Sequence, residues 1–333
     1  MRVIVPMAGL GKRMRPHTLT TPKPLIPVAG KPIVQHLIEY LAEIAGDEIE
    51  HIAFVIGDFG KETEKTLLKI AESLGATGSI HYQNNPLGTA HAILCAQKYL
   101  KDRVIIAFAD TLFYTDFKIP DKADGVIWVK KVDNWQQFGV VKVGKEGYIT
   151  EFIEKSPAYV SDLAIIGIYY FQDGENLKNE LQYLIDHDIK EKGEYQLTTA
   201  MEHMKDKGKK LYPGEVNEWL DCGNKDATVD TNRAVLEHYK AERLVDKSAT
   251  LENSIIISPS FIGASVTIRN SVIGPHVSIG EKTVIENCII KSSIIQSYSK
   301  IKNRLINNSM IGNHVNMSGL PNELSLGDYS SGS

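Results

Sequence analysis

The sequence predicts an α/β domain built on a largely parallel sheet, followed by a solenoid of short parallel strands. Two observations predict it. Over about the first two-thirds of the chain, short apolar runs alternate with helix-period patterns. After about Lys247, branched aliphatic residues recur every five or six positions instead.

In chain order, Val3-Ile4-Val5 reads as a buried strand, followed by a long loop rich in Pro, Thr and Lys. Ile33, Leu37, Leu41 and Ile44 then recur at helical spacing, with Gly46 as the stop. Ile52 to Ile56 is the next strand, and a helix built on Thr63, Leu67, Ile70 and Leu74 follows it. Ile80-His81-Tyr82 is a third strand, with a helix expected from about Thr89 to Leu100. Val104 to Phe108 is continuously apolar, as a strand covered by helices on both faces must be. This βαβαβ order implies right-handed crossovers. From Gly125 to Phe171 the pattern becomes strands with little helix between them (126–129, 140–143, 149–153 and 164–171), an insertion or antiparallel extension of the sheet. Helical patterns resume at 177–185, 197–204 and about 227–244. The expected organisation is a first domain over 1–226, a helical connector over 227–247 and a repeat domain over 248–333.

In the repeat region the recurring residues are Ile257, Ile262, Ile268, Ile273, Ile279, Ile285, Ile290, Ile295, Ile301, Ile306 and Ile311, several followed by glycine. One inward aliphatic per side is the pattern of stacked coils, none of which can bury its interior alone. An ordinary antiparallel domain would place apolar residues at period two. Leu320 to Ser333 reads as a cap or a frayed tail.

Composition bounds the function. With 333 residues, 43% hydrophobic and a formal charge of −4, the chain resembles ordinary globular proteins and has no bulk attraction for nucleic acid or anionic lipid. Any anion site must be local. Cys95, Cys222 and Cys288 are too scattered for a metal set or a disulfide framework. The apolar start is too short for a signal peptide, and no run reaches the ~20 residues of a membrane span. A soluble, cytoplasmic protein with no membrane or nucleic-acid partner is expected.

Chemistry concentrates in the first loop. Ala8-Gly9-Leu10-Gly11, followed by Lys12 and Arg13, suits a close approach of backbone N–H groups to phosphates beside two cations. It is not a P-loop, since no Ser or Thr follows the lysine, nor a dinucleotide fingerprint, since Met14 stands at the third glycine. A plain glycine turn with surface cations fits equally well at this point. Downstream, Asp110 ends the most apolar strand, where α/β sheets place ligand crevices; such an aspartate is otherwise a cap or turn residue.

The loop continues through Arg13-Met14-Arg15-Pro16 into Pro22-Lys23-Pro24-Leu25-Ile26-Pro27-Val28-Ala29-Gly30-Lys31-Pro32. This combination resembles the N-terminal signature of sugar-1-phosphate nucleotidylyltransferases. The resemblance implies a Rossmann-like mixed sheet followed by a C-terminal left-handed parallel β-helix of hexapeptide repeats. It also implies substrates, a nucleoside triphosphate and a sugar 1-phosphate, and Mg²⁺ as cofactor. Arg13 and Lys23 are then the catalytic cations, and Ala8, Gly9, Leu10, Gly11, Lys12, Gln83, Pro86 and Gly88 the nucleotide-binding residues. Asp110 and Asp221, the latter in Trp219-Leu220-Asp221-Cys222-Gly223, would hold the metal, a hard ion that prefers oxygen ligands. Gly139, Glu154, Lys155 and Gly167 fall to the sugar phosphate, and Gly193 to Thr198 resembles a segment that opens a helix beside the sugar.

Lys12, Ala109, Ile166 and Asn224 depart from the family's usual residues, but no essential charge is lost. The segment Gly319 to Asp328 resembles the tail of long-form glucose-1-phosphate thymidylyltransferases, which favours dTTP, then UTP, with glucose 1-phosphate. A mannose-1-phosphate guanylyltransferase and a non-catalytic regulatory subunit are the alternatives within the family. An acyltransferase in the repeat domain, with His276 or His314 as base, is the alternative outside it. The repeats are instead expected to serve assembly as a homo-oligomer.

Overall fold

A computed structural model of the chain describes residues 1–44, 46–155, 158–241 and 244–320. Most of the expected tail (321–333) and Ser156-Pro157 beyond the Glu154-Lys155 pair lie outside the described residues. Contacts divide the chain into two compact units: Met1–Ile26 with Pro32–Gly223, and Pro27–Lys31 with the chain from Asn224 on.

The first unit is a mixed sheet with helices. Strands β1 (Arg2–Pro6), β2 (His51–Ile56) and β3 (Thr77–Tyr82) run parallel, linked by α1 (Ile33–Ile44) and α2 (Lys61–Ser73). After α3 (Thr89–Leu94), β4 (Val104–Ala107) returns parallel to the other edge of β1. A ribbon strand β5 (Thr111–Tyr114) follows, then β6 (Gly125–Lys131), β7 (Gly139–Val143), β8 (Ile149–Glu154) and β9 (Leu163–Phe171). The antiparallel extension joins the sheet through β9, whose Ile168 to Phe171 pair with Ala107 to Val104. The chain closes this unit with α4 (Gly174–Asp186), α5 (Leu197–Asp206), β10 (Leu211–Glu215) and β11 (Glu218–Asp221). The sheet order is β8-β7-β9-β4-β1-β2-β3, with β6 pairing β9 and β10.

Val3, Ile4, Val104, Ile106 and Phe54 are fully buried, which explains the unbroken apolar runs. Each such side chain is worth ~1.5–3 kcal/mol of transfer free energy.

Two helices are shorter than their periodicity suggested. The helix expected to reach Leu100 stops at Leu94 and continues only as a 3₁₀ turn, Gln97–Tyr99. The tightening begins where Cys95 N–H is shared between the carbonyls of His91 and Ala92 and Ala96 N–H bonds to Ile93. The helix expected over 227–244 is α6 (Lys225–His238), started by the Asn224 side chain accepting from Ala227 N–H at 3.0 Å.

The second unit carries a parallel β-helix. Thr250 lies opposite Thr267, Thr267 opposite Val284 and Val284 opposite Lys300, so coils repeat after 17, 17 and 16 residues. Ile262, Ile268, Ile273, Ile279, Ile285 and Ile290 fill the interior, fully buried. Ile257 does not join them: Ile256 pairs with Ile273, and strand parity turns Ile257 outward, 40% exposed. At one bend Asn253, Asn270, Asn287 and Asn303 all adopt left-handed backbone angles, which asparagine tolerates. Their amides form a ladder with spacings of 2.9, 3.3 and 3.0 Å. Asn232 of α6 is fully buried, and its Oδ1 accepts from Ala29 N–H at 2.9 Å and Ser278 Oγ at 2.6 Å.

Candidate functional site

The first unit contains a cavity of about 500 Å³ at the carboxyl ends of β1 and β4. Ala8, Gly9, Gly11, Lys12, Arg13, Lys23, Gln83, Pro86, Gly88 and Asp110, all expected from the sequence, line it. Leu10 does not; its side chain points to solvent, 62% exposed.

The first loop is shaped by local bonds. Gly11 takes a left-handed conformation (φ 57°) that starts a 3₁₀ turn over Lys12–Met14. Thr18 Oγ1 donates to its carbonyl at 2.9 Å, and a Cβ on Gly11 would crowd Lys23 and Thr18 at 3.1 Å. A Cβ on Gly9 would meet nothing within 4 Å, so the loop backbone is open to the cavity there. Such an open backbone stretch suits an anion.

The charged centre forms because β5 and β11 pair antiparallel. Asp221 lies opposite Thr111, and Cys222 N–H donates to the Asp110 carbonyl at 3.1 Å, so both aspartates reach one end of the ribbon. Asp110 is therefore a turn residue between β4 and β5, three residues beyond the end of β4 at Ala107. Lys23 Nζ donates to Asp110 Oδ2 at 2.9 Å although Lys23 is only 8% exposed. Gly223 N–H donates to Asp221 Oδ1 at 2.9 Å, and a Cβ on Gly223 would touch both this carboxylate and the Arg13 guanidinium. Burial pushes the Asp221 carboxyl above the ordinary carboxylate range. Lys23 opposes that push, the neighbouring Asp110 carboxylate adds to it, and the Gly223 N–H and Arg13 oppose it further.

Two crowded carboxylates beside ammonium and guanidinium groups fit a hard divalent cation. Among the described residues no group of three or more acidic, His or Cys side chains gathers, so phosphate and water oxygens would complete its shell.

The wall that carries Gln83, Pro86 and Gly88 is made by two clamped segments. Tyr195 N–H donates to Leu87 O and Ala90 N–H to Tyr195 O, both at 2.9 Å. Thr89 Oγ1 accepts from Leu197 N–H at 2.9 Å and donates to Gln196 Oε1 at 3.1 Å. Gly88 must be glycine: its φ is 119°, and a Cβ would lie 2.4 Å from Tyr195 O. The segment Gly193 to Thr198, expected beside the sugar, therefore packs against Leu87 to Ala90, and Glu194 lines the cavity. Thr89, Phe108, Glu194 and Gly223 also line it without having been assigned to it; Thr89, Phe108 and Gly223 stand within two residues of expected site residues, whereas Glu194 is brought there by the pairing of Tyr195 with Leu87 and Ala90.

Gly139, Glu154, Lys155 and Gly167 do not line this cavity, but three of them form a neighbouring cluster. Lys155 Nζ lies 3.5 Å from Glu154 Oε1, and a Cβ on Gly139 would meet Glu154 Oε2 at 2.8 Å. Phe138, beside Gly139, packs its ring edge-on against Trp219, two residues before Asp221, with centroids 5.0 Å apart. Gly167 (φ 86°) accepts from Phe108 N–H at 3.0 Å, and Phe108 lines the cavity. In the β-helix, His276 Nε2 pairs with Glu237 at 2.7 Å and His314 stacks on Tyr298 at 5.0 Å.

An α/β sheet with this charged crevice at its strand ends is the framework of a nucleotide-handling transferase. Residues 2–238 match the nucleotidyl transferase family, and the chain belongs to it. The bifunctional protein GlmU of Methanococcus maripaludis is 31% identical over 267 residues, covering 79% of this chain and 60% of that protein. The chain thus spans about three-fifths of that relative's length. The low-salt glycan biosynthesis nucleotidyltransferase Agl11 of Haloferax volcanii is 30% identical, covering 78% of this chain and 73% of Agl11. A glucose-1-phosphate thymidylyltransferase of Streptomyces griseus is 28% identical over 99% of this chain and 98% of its own. In fold, a nucleoside-diphosphate-sugar pyrophosphorylase from Vibrio cholerae superposes with a TM-score of 0.59 at 20% identity, covering 69% of this chain and 99% of that one.

Proposed function

We propose that the chain transfers a nucleotidyl group from a nucleoside triphosphate to a sugar 1-phosphate, giving an NDP-sugar and pyrophosphate. The observation that carries this reading is the convergence of Arg13, Lys23, Asp110 and Asp221 beside a loop whose backbone is open at Gly9.

A sugar 1-phosphate is already an ionised nucleophile, so the reaction needs no general base. The barrier lies in bringing anions together for in-line attack on the α-phosphorus. Arg13, exposed at the loop, takes the departing pyrophosphate. Lys23, held against Asp110, bridges the α-phosphate and the incoming phosphate. Lys155 anchors the sugar phosphate, with Glu154 and the Gly139 and Gly167 backbones at the sugar hydroxyls. Asp110 and Asp221 would hold Mg²⁺, which when bound supplies charge neutralisation at the phosphates.

Glucose 1-phosphate with dTTP, or with UTP, is the preferred pair, supported by the near full-length likeness to the Streptomyces protein and by the tail motif. A cytoplasmic setting is in keeping with the absence, among the described residues, of a helix long and apolar enough to cross a membrane. Self-association through the β-helix is supported by Ile255, Ile289 and Leu305, exposed apolar side chains in one column of stacked coils, with the half-buried Val272 between the first two.

A pyrophosphate-release panel of four nucleotides against several sugar 1-phosphates with Mg²⁺ tests the reading. Release that requires both substrates supports it; GTP with mannose 1-phosphate as the best pair would move the specificity, and silence in every pair would sink it.

A further inference from the structure

The Gln83 amide stands on the cavity wall with both of its N–H groups already used. Nε2 lies 3.2 Å from Gly88 O and 3.2 Å from His91 Nδ1. A carbonyl oxygen can only accept, so Gly88 fixes the amide nitrogen on that side. Nδ1 must then carry a lone pair, with the imidazole proton on Nε2. Burial draws the His91 imidazole below its ordinary range, in the direction that favours the neutral ring this lone pair requires. Among the described residues no donor bonds to Gln83 Oε1, the one amide atom left to meet a ligand.

We propose that His91 is a positioning residue for base selection. Its Nδ1 lone pair, with the Gly88 carbonyl, holds the Gln83 amide so that Oε1 faces the base, and the cavity takes nucleobases that present a ring N–H. Uracil, thymine and guanine present one; cytosine and adenine present a ring acceptor that would face Oε1 unpaired. The inference rests on the nucleotide reading of this cavity and narrows it to the N–H-bearing bases. A single unpaired acceptor of this kind discriminates by roughly 10- to 100-fold.

UTP and CTP differ at this edge alone, so their ratio is the readout. It is measured as calorimetric binding with Mg²⁺ and no sugar present, and again as the KM for the nucleotide in turnover. Three variants separate the cases. In His91→Asn the Oδ1 acceptor occupies the position of Nδ1, His91→Leu offers no polar atom, and His91→Lys offers only donors. The wild type and His91→Asn are expected to favour UTP by about 10- to 100-fold. In His91→Leu the preference shrinks, and in His91→Lys, where the amide is driven to turn over, it shrinks further or inverts. A merely structural role for His91 would weaken UTP and CTP alike, leaving the ratio unmoved in all three variants, and that result overturns the proposal. Base discrimination that follows residue 91 without any turnover would keep this inference and remove the catalytic one. Turnover with a ratio indifferent to residue 91 would do the reverse.

Discussion

Lys23 illustrates how much one residue depends on its surroundings. Its ammonium is nearly buried, touches Asp110 and lowers the proton affinity of Asp221 against the combined effect of burial and the second carboxylate. In the proposed mechanism Lys23→Ala removes a charge at the reacting phosphates, and it leaves two crowded carboxylates without their ammonium partner. Turnover should fall by about 10²–10³, equivalent to ~3–4 kcal/mol of transition-state stabilisation. Circular dichroism should show the fold intact, and near-normal turnover would take lysine out of the mechanism. Gly88→Ala tests the opposite kind of residue, one needed for its lack of a side chain. Its Cβ would strike the Tyr195 backbone, so the KM for nucleotide should rise and the melting temperature drop; unchanged values of both would contradict the clamp. At this scale the charged residues were legible because they sit in contiguous motifs. Glu194 was not, since its place on the wall comes from bonds between segments about a hundred residues apart. Leu10, expected among the nucleotide-binding residues, does not line the cavity and sends its side chain to solvent.

Among the elements, the apolar runs identified most strands of the first unit, because strands covered on both faces cannot alternate. The β5–β11 ribbon that brings the two aspartates together was not foreseen, since its pairing is a tertiary fact with no local pattern. Helix ends were misjudged where i→i+3 bonds or a side-chain cap, and not the apolar period, set the boundary. The neighbouring strands β2 and β3 carry an element-scale titration. His51 and His81 both bond to Ser79 Oγ, at 2.8 and 2.9 Å, and His51 stacks on Tyr99. Burial lowers the pKa of both imidazoles; at His51 the charges of His81, Arg2 and Lys98 add to this, and at His81 that of Lys98. At His81 a backbone bond to Cys95 opposes the shift. Their folded values lie below the unfolded one, so the unfolded chain binds more protons as pH falls. The stability contribution is complete above about pH 6.5 and is lost as pH falls through that value toward the folded pKa. Urea midpoints at pH 7.5 and 5.5 should therefore differ more in the wild type than in a His51→Gln/His81→Gln double variant. Equal differences would exclude these histidines as the source.

For the whole molecule, the change of period after Lys247 announced a second architecture, and the ten interior isoleucines from Ile262 to Ile311 were readable because each side of a coil needs one. Ile257 was misread because a five-or-six period cannot see the parity of a strand that starts two residues earlier. Each unit has its own buried cluster, so a core deletion should be felt where it is made. Ile285→Ala should cost ~2–5 kcal/mol in the unfolding transition of the β-helix while the transition of the first unit stays in place. A calorimetric trace in which both shift equally would show that they unfold as one.

The central claim is direct transfer: the sugar phosphate attacks the α-phosphorus, held by Arg13, Lys23, Asp110 and Asp221, with no nucleotidyl group passing through the protein. Exchange of labelled pyrophosphate into nucleoside triphosphate in the presence of Mg²⁺ tests this most directly. No label should enter the triphosphate without sugar product, and exchange should appear once the NDP-sugar is supplied. Exchange with pyrophosphate and triphosphate alone would demand a covalent intermediate and contradict the account.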